Sequence, residues 1–165
     1  MRVLGIDPGY AIIGYGLVCC EKNRFKSLGH GAITTDASDD FLTRLQKIYD
    51  SMTDLLICAK PDAFAIEKLY FQNNQKTAID VAQARGVTIL AAKQANVPVY
   101  EYTPLQIKVS VTGYGQAKKY QVMEMTKKLL GLNQVPKPDD TADALAIAIT
   151  HLSHAGVRDR VKGCN

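Results

Sequence analysis

Arg2-Val3-Leu4-Gly5-Ile6-Asp7-Pro8-Gly9 carries a carboxylate to the end of a short apolar run within the first ten residues of a 165-residue chain. Val3 to Ile6 is unbroken by polar residues and stopped by Pro-Gly, the pattern of a strand buried on both faces of a mixed sheet. Asp7 then stands at the strand tip, where it is read as the anchor of a metal site. The plainer alternative is that it opens an Asp-Pro-Gly turn. Ala11 to Val18, with Gly14-Tyr15-Gly16 inside it, has the composition of a second strand close enough to form a hairpin with the first.

Working outward, Arg24 to Thr35 alternates and reads as a third antiparallel strand. From Asp39 or Asp40 to about Lys60 the apolar spacing changes to three or four residues (Phe41, Leu45, Ile48, Met52, Leu55, Leu56), one face of a helix with Asp39 as its cap. Pro61 closes it. Asp62 to Glu67 is a second buried strand that ends in a carboxylate. A helix over Gln75 to Ala95 follows, then a strand over Val97 to Glu101, then helices near Pro104 to Val111 and Ala117 to Leu130. Pro136-Lys137-Pro138 interrupts, and Asp139-Asp140-Thr141-Ala142-Asp143 opens a helix that is apolar almost all round through Thr150. Capping and the helix dipole explain acids at a helix start. They do not explain acids at the start of so buried a helix.

Composition bounds the rest. At 47% hydrophobic and net charge +4, the chain can bury its own core, and its mild basic excess is compatible with nucleic acid. Cys19, Cys20, Cys58 and Cys164 form no metal-ligand or disulfide spacing, and no apolar run approaches a membrane span, so a cytoplasmic protein with no membrane contact is expected. One domain over residues 1–156 and a polar, mobile tail over 157–165 are expected.

Two strand tips and one helix start would bring Asp7, Glu67, Asp140 and Asp143 together, at the strand ends where open sheets place ligands. Four carboxylates without a counter-charge repel one another, so the cluster makes sense around divalent cations, and oxygen ligands favour Mg²⁺ or Mn²⁺. Two such ions suit phosphodiester hydrolysis by in-line displacement.

Gly5-Ile6-Asp7-Pro8-Gly9 with Gly14-Tyr15-Gly16, then Ile66-Glu67, then Gln83-Ala84-Arg85-Gly86-Val87, then Asp140-Thr141-Ala142-Asp143 running on to His151, resembles the RuvC family of bacterial Holliday junction resolvases. The likeness runs nearly end to end. It implies an α/β, ribonuclease-H-like mixed five-stranded sheet, first three strands antiparallel, flanked by helices. It also implies a homodimer making paired Mg²⁺-dependent nicks in four-way junction DNA, alongside the RuvA and RuvB branch-migration proteins. Asp7, Glu67, Asp140 and Asp143 match the family's catalytic metal-binding positions, two ions per site, with Mn²⁺ able to substitute. The Asp-x-x-Asp spacing selects Asp140 over Asp139, which is the better cap. Tyr70-Phe71 fall where the family places junction aromatics, although one of the pair is expected in the core. Lys108, Lys118 and Lys119 match basic positions near the scissile phosphate, with Lys76 and Arg85 on the preceding helix region.

Other residues receive plainer readings. His151 lies about 12 Å along the helix from Asp143, too far to join the acids, and with His154 is read as a surface or helix-end histidine. Cys19 and Cys20 would point to opposite sheet faces. The helix over Gln75 to Ala95 has more apolar surface (Ala78, Ile79, Ala82, Val87, Leu90, Ala91) than one face needs, which suits a two-fold contact. Competing readings are an actin-like or sugar-kinase phosphate loop, excluded by length, and a non-catalytic binder of branched DNA, disfavoured by acids in a DNA-facing cleft. The runner-up is a related nuclease of similar fold acting on RNA.

Overall fold

β1 (Arg2–Asp7) is the middle of the sheet because both of its faces are apolar: Val3, Leu4 and Ile6 are completely buried. The computed structural model describes residues 1–69 and 75–162, with residues 75–77 and 157–162 as helical backbone only. β2 (Ile12–Glu21) returns antiparallel to β1, and β3 (Arg24–Thr34) antiparallel to β2 through a turn at Lys22 and Asn23, both left-handed. β4 (Ala63–Glu67) and β5 (Val99–Tyr102) then add in parallel, giving the order β3-β2-β1-β4-β5. This is the mixed five-stranded sheet, first three strands antiparallel, expected from the sequence.

The helices cover the two faces. α1 (Phe41–Ala59) and α2 (Gln75–Gln94) pack with Leu4, Ile6, Phe64 and Ile66 through Ile48, Met52 and Ala91. α3 (Pro104–Thr112), α4 (Lys119–Leu130) and α5 (Asp139–Lys162) cover the opposite face, where Val3, Val18 and Ala65 meet Ile107, Val122, Leu145 and Ile149. α3 is set by a complete capping box between Thr103 and Gln106 and stopped by Gly113 at φ 74°.

α5 lies against the sheet with almost no side chain between. A Cβ on Gly5 would come within 2.1 Å of the Ala144 carbonyl oxygen, and one on Gly14 within 2.0 Å of that of Asp140. Gly16 meets the Leu145 side chain instead. Three glycines on β1 and β2 are thus a track for the helix, and Ala142 and Ala144 to Ile149 are fully buried on it.

Three local expectations need correction. Asp40, not Asp39, caps α1: its carboxylate accepts from the backbone N–H of Leu42 and Thr43, whereas Asp39 pairs with Lys47 at 2.6 Å. Asp139 is the first residue of α5 rather than its cap, and pairs with Lys137 at 2.6 Å. His151 is not on the surface: it is 5% exposed, 2.8 Å from the Tyr102 hydroxyl through Nδ1, with its ring 4.3 Å from that of Tyr100 and tilted by 45° to it. β5 supplies those tyrosines and closes the helix over it. Cys19 is buried and Cys20 exposed, as alternation requires.

Candidate active site

Strand register brings the first two acids together. Gly5 pairs with Ala65 and Ile6 with Ile66, so Asp7 and Glu67 follow as neighbouring strand tips on the face that α5 covers. On the other side Asp7 pairs with Gly14, the residue on which the Asp140 backbone rests. The glycine track therefore sets the helix start over the strand tips, and Asp143 follows one turn later. Sequence reasoning found the four acids and the Gly14-Tyr15-Gly16 motif without finding that the glycines dock the helix; the repeated glycines in an otherwise apolar strand were the signal.

Electrostatics reflects that crowding. Asp7 is pushed up to about 8, first by burial and then by Asp143, Glu67 and Asp140. Burial, with Asp143 adding to it, raises Glu67. Burial also raises Asp143, against the opposing pull of Lys119, which donates to it at 2.9 Å. That same hydrogen bond raises Lys119. Negative charge outweighs positive around Asp7, where Asp143, Glu67 and Asp140 oppose one lysine, Lys119. Among the described residues, no three acidic, histidine or cysteine side chains already stand in ligating geometry, so the acids converge as a field rather than as a closed cage.

Beside the acids runs a cleft of about 220 Å³ walled by Glu67, Asp143, Lys108 and Lys119, with Ile107, Val122 and Ile147 beneath. Lys108 comes from α3 and Lys119 from α4, so the expected basic pair does face the acids. Lys118 flanks the start of α4 and is exposed. Arg85 is turned into the protein: its Nε donates to the Glu67 carbonyl at 3.2 Å and its guanidinium pairs with Glu101 at 2.6 Å. Tyr70 and Phe71 lie outside the described residues, as does the Lys76 side chain. Asp139 is pulled below its usual range by the hydrogen bond from Lys137.

Two features escaped the sequence. Asp80 of α2 shares the wall of a second cleft, about 370 Å³, with Gly9, Tyr10 and Asp140. Nothing in a lone acid on a helix announces that apposition. The turn after Asp7 is also latched: Thr35 donates to the Tyr10 carbonyl at 2.8 Å, Arg44 donates to Thr35 at 2.9 Å, and the Arg44 guanidinium lies 3.7 Å over the Tyr10 ring.

A family described as Crossover junction endodeoxyribonuclease RuvC matches residues 3–151. The chain belongs to the RuvC family. A relative of that description from Brevibacillus brevis is 56% identical over 151 residues, covering 92% of this chain and 91% of its own. The solved RuvC of Thermus thermophilus superposes with a TM-score of 0.89 at 36% identity, covering 95% of this chain and 96% of the other. The T. thermophilus RuvC in complex with Holliday junction substrate gives 0.87 at 34%, with the same coverage. Membership carries a ribonuclease-H-like fold and the hydrolase activity of a Holliday junction endonuclease, and does not favour RNA as the substrate. Metal dependence is general for this family.

Proposed function

We propose that the chain resolves four-way DNA junctions by paired symmetric nicks, in recombination and repair, with Asp7, Glu67, Asp140 and Asp143 holding two Mg²⁺ ions per site. The observation that carries this is the convergence of those acids at one end of the sheet with Lys108 and Lys119 across the adjoining cleft. The donor set fits: all four are carboxylates, the hard oxygen ligands that Mg²⁺ and Mn²⁺ take. When bound, the ions supply Lewis acidity for activating water and for neutralising the leaving oxygen.

The protein's own residues do the rest. Asp7 and Glu67 are fixed by strand register and Asp140 by backbone contact, so the main-chain positions of these acids are set before substrate arrives. Lys108 and Lys119 hold the phosphate beside the acids, and Lys118 meets the backbone further out. Such contacts set position and carry no base identity. Tyr70 and Phe71 are proposed, on the resemblance alone, to stack on the opened junction.

Dimerisation is proposed through α2. Ile79, Gln83, Gly86 and Leu90 make an exposed stripe along it, and Gly86 has open space around its Cα. A glycine mid-helix costs about 1 kcal/mol against alanine, which close approach of a second helix would offset. Two copies about a two-fold axis would present two sites to a junction. RuvA and RuvB as partners, the cytoplasm as location, and residues 1–156 as the nuclease domain remain readings of the same kind. Among the described residues no helix is long and apolar enough to cross a membrane, and α5 runs unbroken to Lys162.

The experiment is cleavage of an end-labelled synthetic four-way junction against a linear duplex of the same sequence, in Mg²⁺, in Ca²⁺ and in chelator. Paired nicks in the junction with Mg²⁺ alone are expected. Cutting of the duplex at equal rate, or cleavage in chelator, would overturn the reading.

A further inference from the structure

We propose that Arg85 is a positioning residue: its guanidinium fixes the main chain at Glu67, and so keeps that carboxylate in place at the head of the cleft. The inference rests on the reading of Glu67 as a metal-binding acid. It replaces the expectation that Arg85 contacts DNA.

Glu67 is where β4 ends. Its register with β1 runs to the Ile6–Ile66 pair, and Asp7 and Glu67 are the last residues of the two strands. Pairing with Tyr102 of β5 continues, and the Lys68 N–H donates to the Tyr102 carbonyl at 2.8 Å. Immediately beyond, the chain leaves the sheet. Arg85 adds a side-chain anchor, donating from Nε to the Glu67 carbonyl at 3.2 Å while its terminal nitrogen pairs with Glu101 at 2.6 Å. One planar fork thus ties the end of β4 to β5.

The placement argues against phosphate contact. Arg85 reaches Glu67 from α2, which covers the face of the sheet opposite the cleft. Its side chain is 16% exposed, and both of its bonds are to protein. α2 is itself held there, because Ala84 and Thr88 are fully buried and the Thr88 hydroxyl donates to the Arg85 carbonyl at 2.8 Å. A lysine offers a single ammonium and cannot span the carbonyl and the carboxylate with the geometry of a guanidinium. Groups that orient a metal ligand in this way change metal affinity about 10-fold or more when removed.

The test is a thermal-shift titration of the free protein with Mg²⁺ and with Ca²⁺, on wild type, Arg85→Ala, Arg85→Lys, Glu101→Gln and Glu67→Gln. Junction binding in EDTA at several salt concentrations runs in parallel. Expected is a metal midpoint about 10-fold higher in Arg85→Ala and Arg85→Lys. Glu101→Gln, whose amide oxygen still accepts from the guanidinium, should shift in the same direction by less. Junction affinity and its salt slope should stay at wild-type values, and the cleavage lost at low Mg²⁺ should return at high Mg²⁺. A wild-type metal midpoint in the Arg85 variants overturns the inference. So does a salt slope lowered by about 1, which marks a lost phosphate contact. If Arg85→Ala does not fold, Arg85→Lys and Glu101→Gln decide by the same readouts. Glu67→Gln separates the two claims: a wild-type metal response there sinks the reading of Glu67 itself, whereas a lost response there with unchanged Arg85 variants sinks only the positioning role.

Discussion

Gly14→Ala tests the claim that catalytic geometry is set by backbone contact between α5 and the sheet. The added methyl would lie 2.0 Å from the Asp140 carbonyl oxygen, and contacts below 3.0 Å are not tolerated, with backbone rather than a flexible side chain in the way. The start of α5 must therefore lift by about 1 Å or more. Overpacking of this kind costs about 1 to 3 kcal/mol. A displacement of about 1 Å in a catalytic group lowers the rate about 100-fold. Gly16→Ala is the milder comparison, because its methyl first meets the Leu145 side chain, 2.6 Å from Cδ2 and 2.8 Å from Cγ, with the nearest backbone atom at 3.1 Å rather than 2.0 Å. Urea denaturation and single-turnover cleavage of a four-way junction, each at saturating Mg²⁺, give both quantities, while junction binding in Ca²⁺ checks that the surface is intact. Gly14→Ala cleaving within a few-fold of wild type, or Gly16→Ala proving the more damaging of the two, would show that the glycine track does not position the acids.

Three further outcomes are expected. Asp7 stands at about 8 in the fold against an ordinary 3.8, so between about pH 4 and pH 8 the folded state holds a proton that the unfolded chain has released. Metal-free stability therefore falls as pH rises through that window, and Asp7→Asn should flatten the curve, be more stable than wild type at pH 8 by on the order of a few kcal/mol, and abolish cleavage while binding survives. Denaturation in EDTA from pH 5 to 8 checks it, and parallel profiles for the two proteins would refute it. Lys108→Ala with Lys119→Ala should lower the salt slope of junction binding by about 2, read from affinities at graded ionic strength; an unchanged slope removes both from the phosphate path. Leu90→Asp, on the exposed stripe of α2, should sediment as a monomer at micromolar concentration with its fold intact by circular dichroism, and a persistent dimer would move the two-fold elsewhere.

The four acids were legible because a carboxylate at the tip of an apolar strand, or at the start of a buried helix, calls for an explanation beyond local capping. The burial of β1 and β4 was legible for a related reason: Val3 to Ile6 and Ala63 to Ile66 are unbroken apolar runs, which suits strands covered on both faces. Asp39 and Asp40 could not be separated, since adjacent acids before one helix differ only in which backbone angle precedes the first turn. His151 was misjudged because its burial depends on Tyr100 and Tyr102, which lie about fifty positions away and reach it only once β5 has paired with β4. The Arg85–Glu101 pair was not legible for the same reason: Glu101 sits sixteen residues on, and nothing in the helix around Arg85 points to it.

The Lys119–Asp143 pair joins the two halves of the site, and its strength decides how the site works. The lysine is 59% exposed and the aspartate 25%, so solvent screens the pair, and pairs of this exposure contribute about 0 to 1 kcal/mol. A buried ion pair would cost about 3 to 5 kcal/mol to break by loss of one partner. Asp7, Glu67 and Asp140 are held by strand register and backbone contact, and have little freedom to rearrange. Lys119 instead stands on the first turn of α4 with its ammonium at the cleft. Under the proposed function it would leave Asp143 to a divalent ion and turn to a phosphate oxygen without disturbing any strand. On that proposal the labour divides by how each group is held: the acids that would keep their geometry are fixed by the main chain, and the cation that would change partners is attached by a weak, exposed pair.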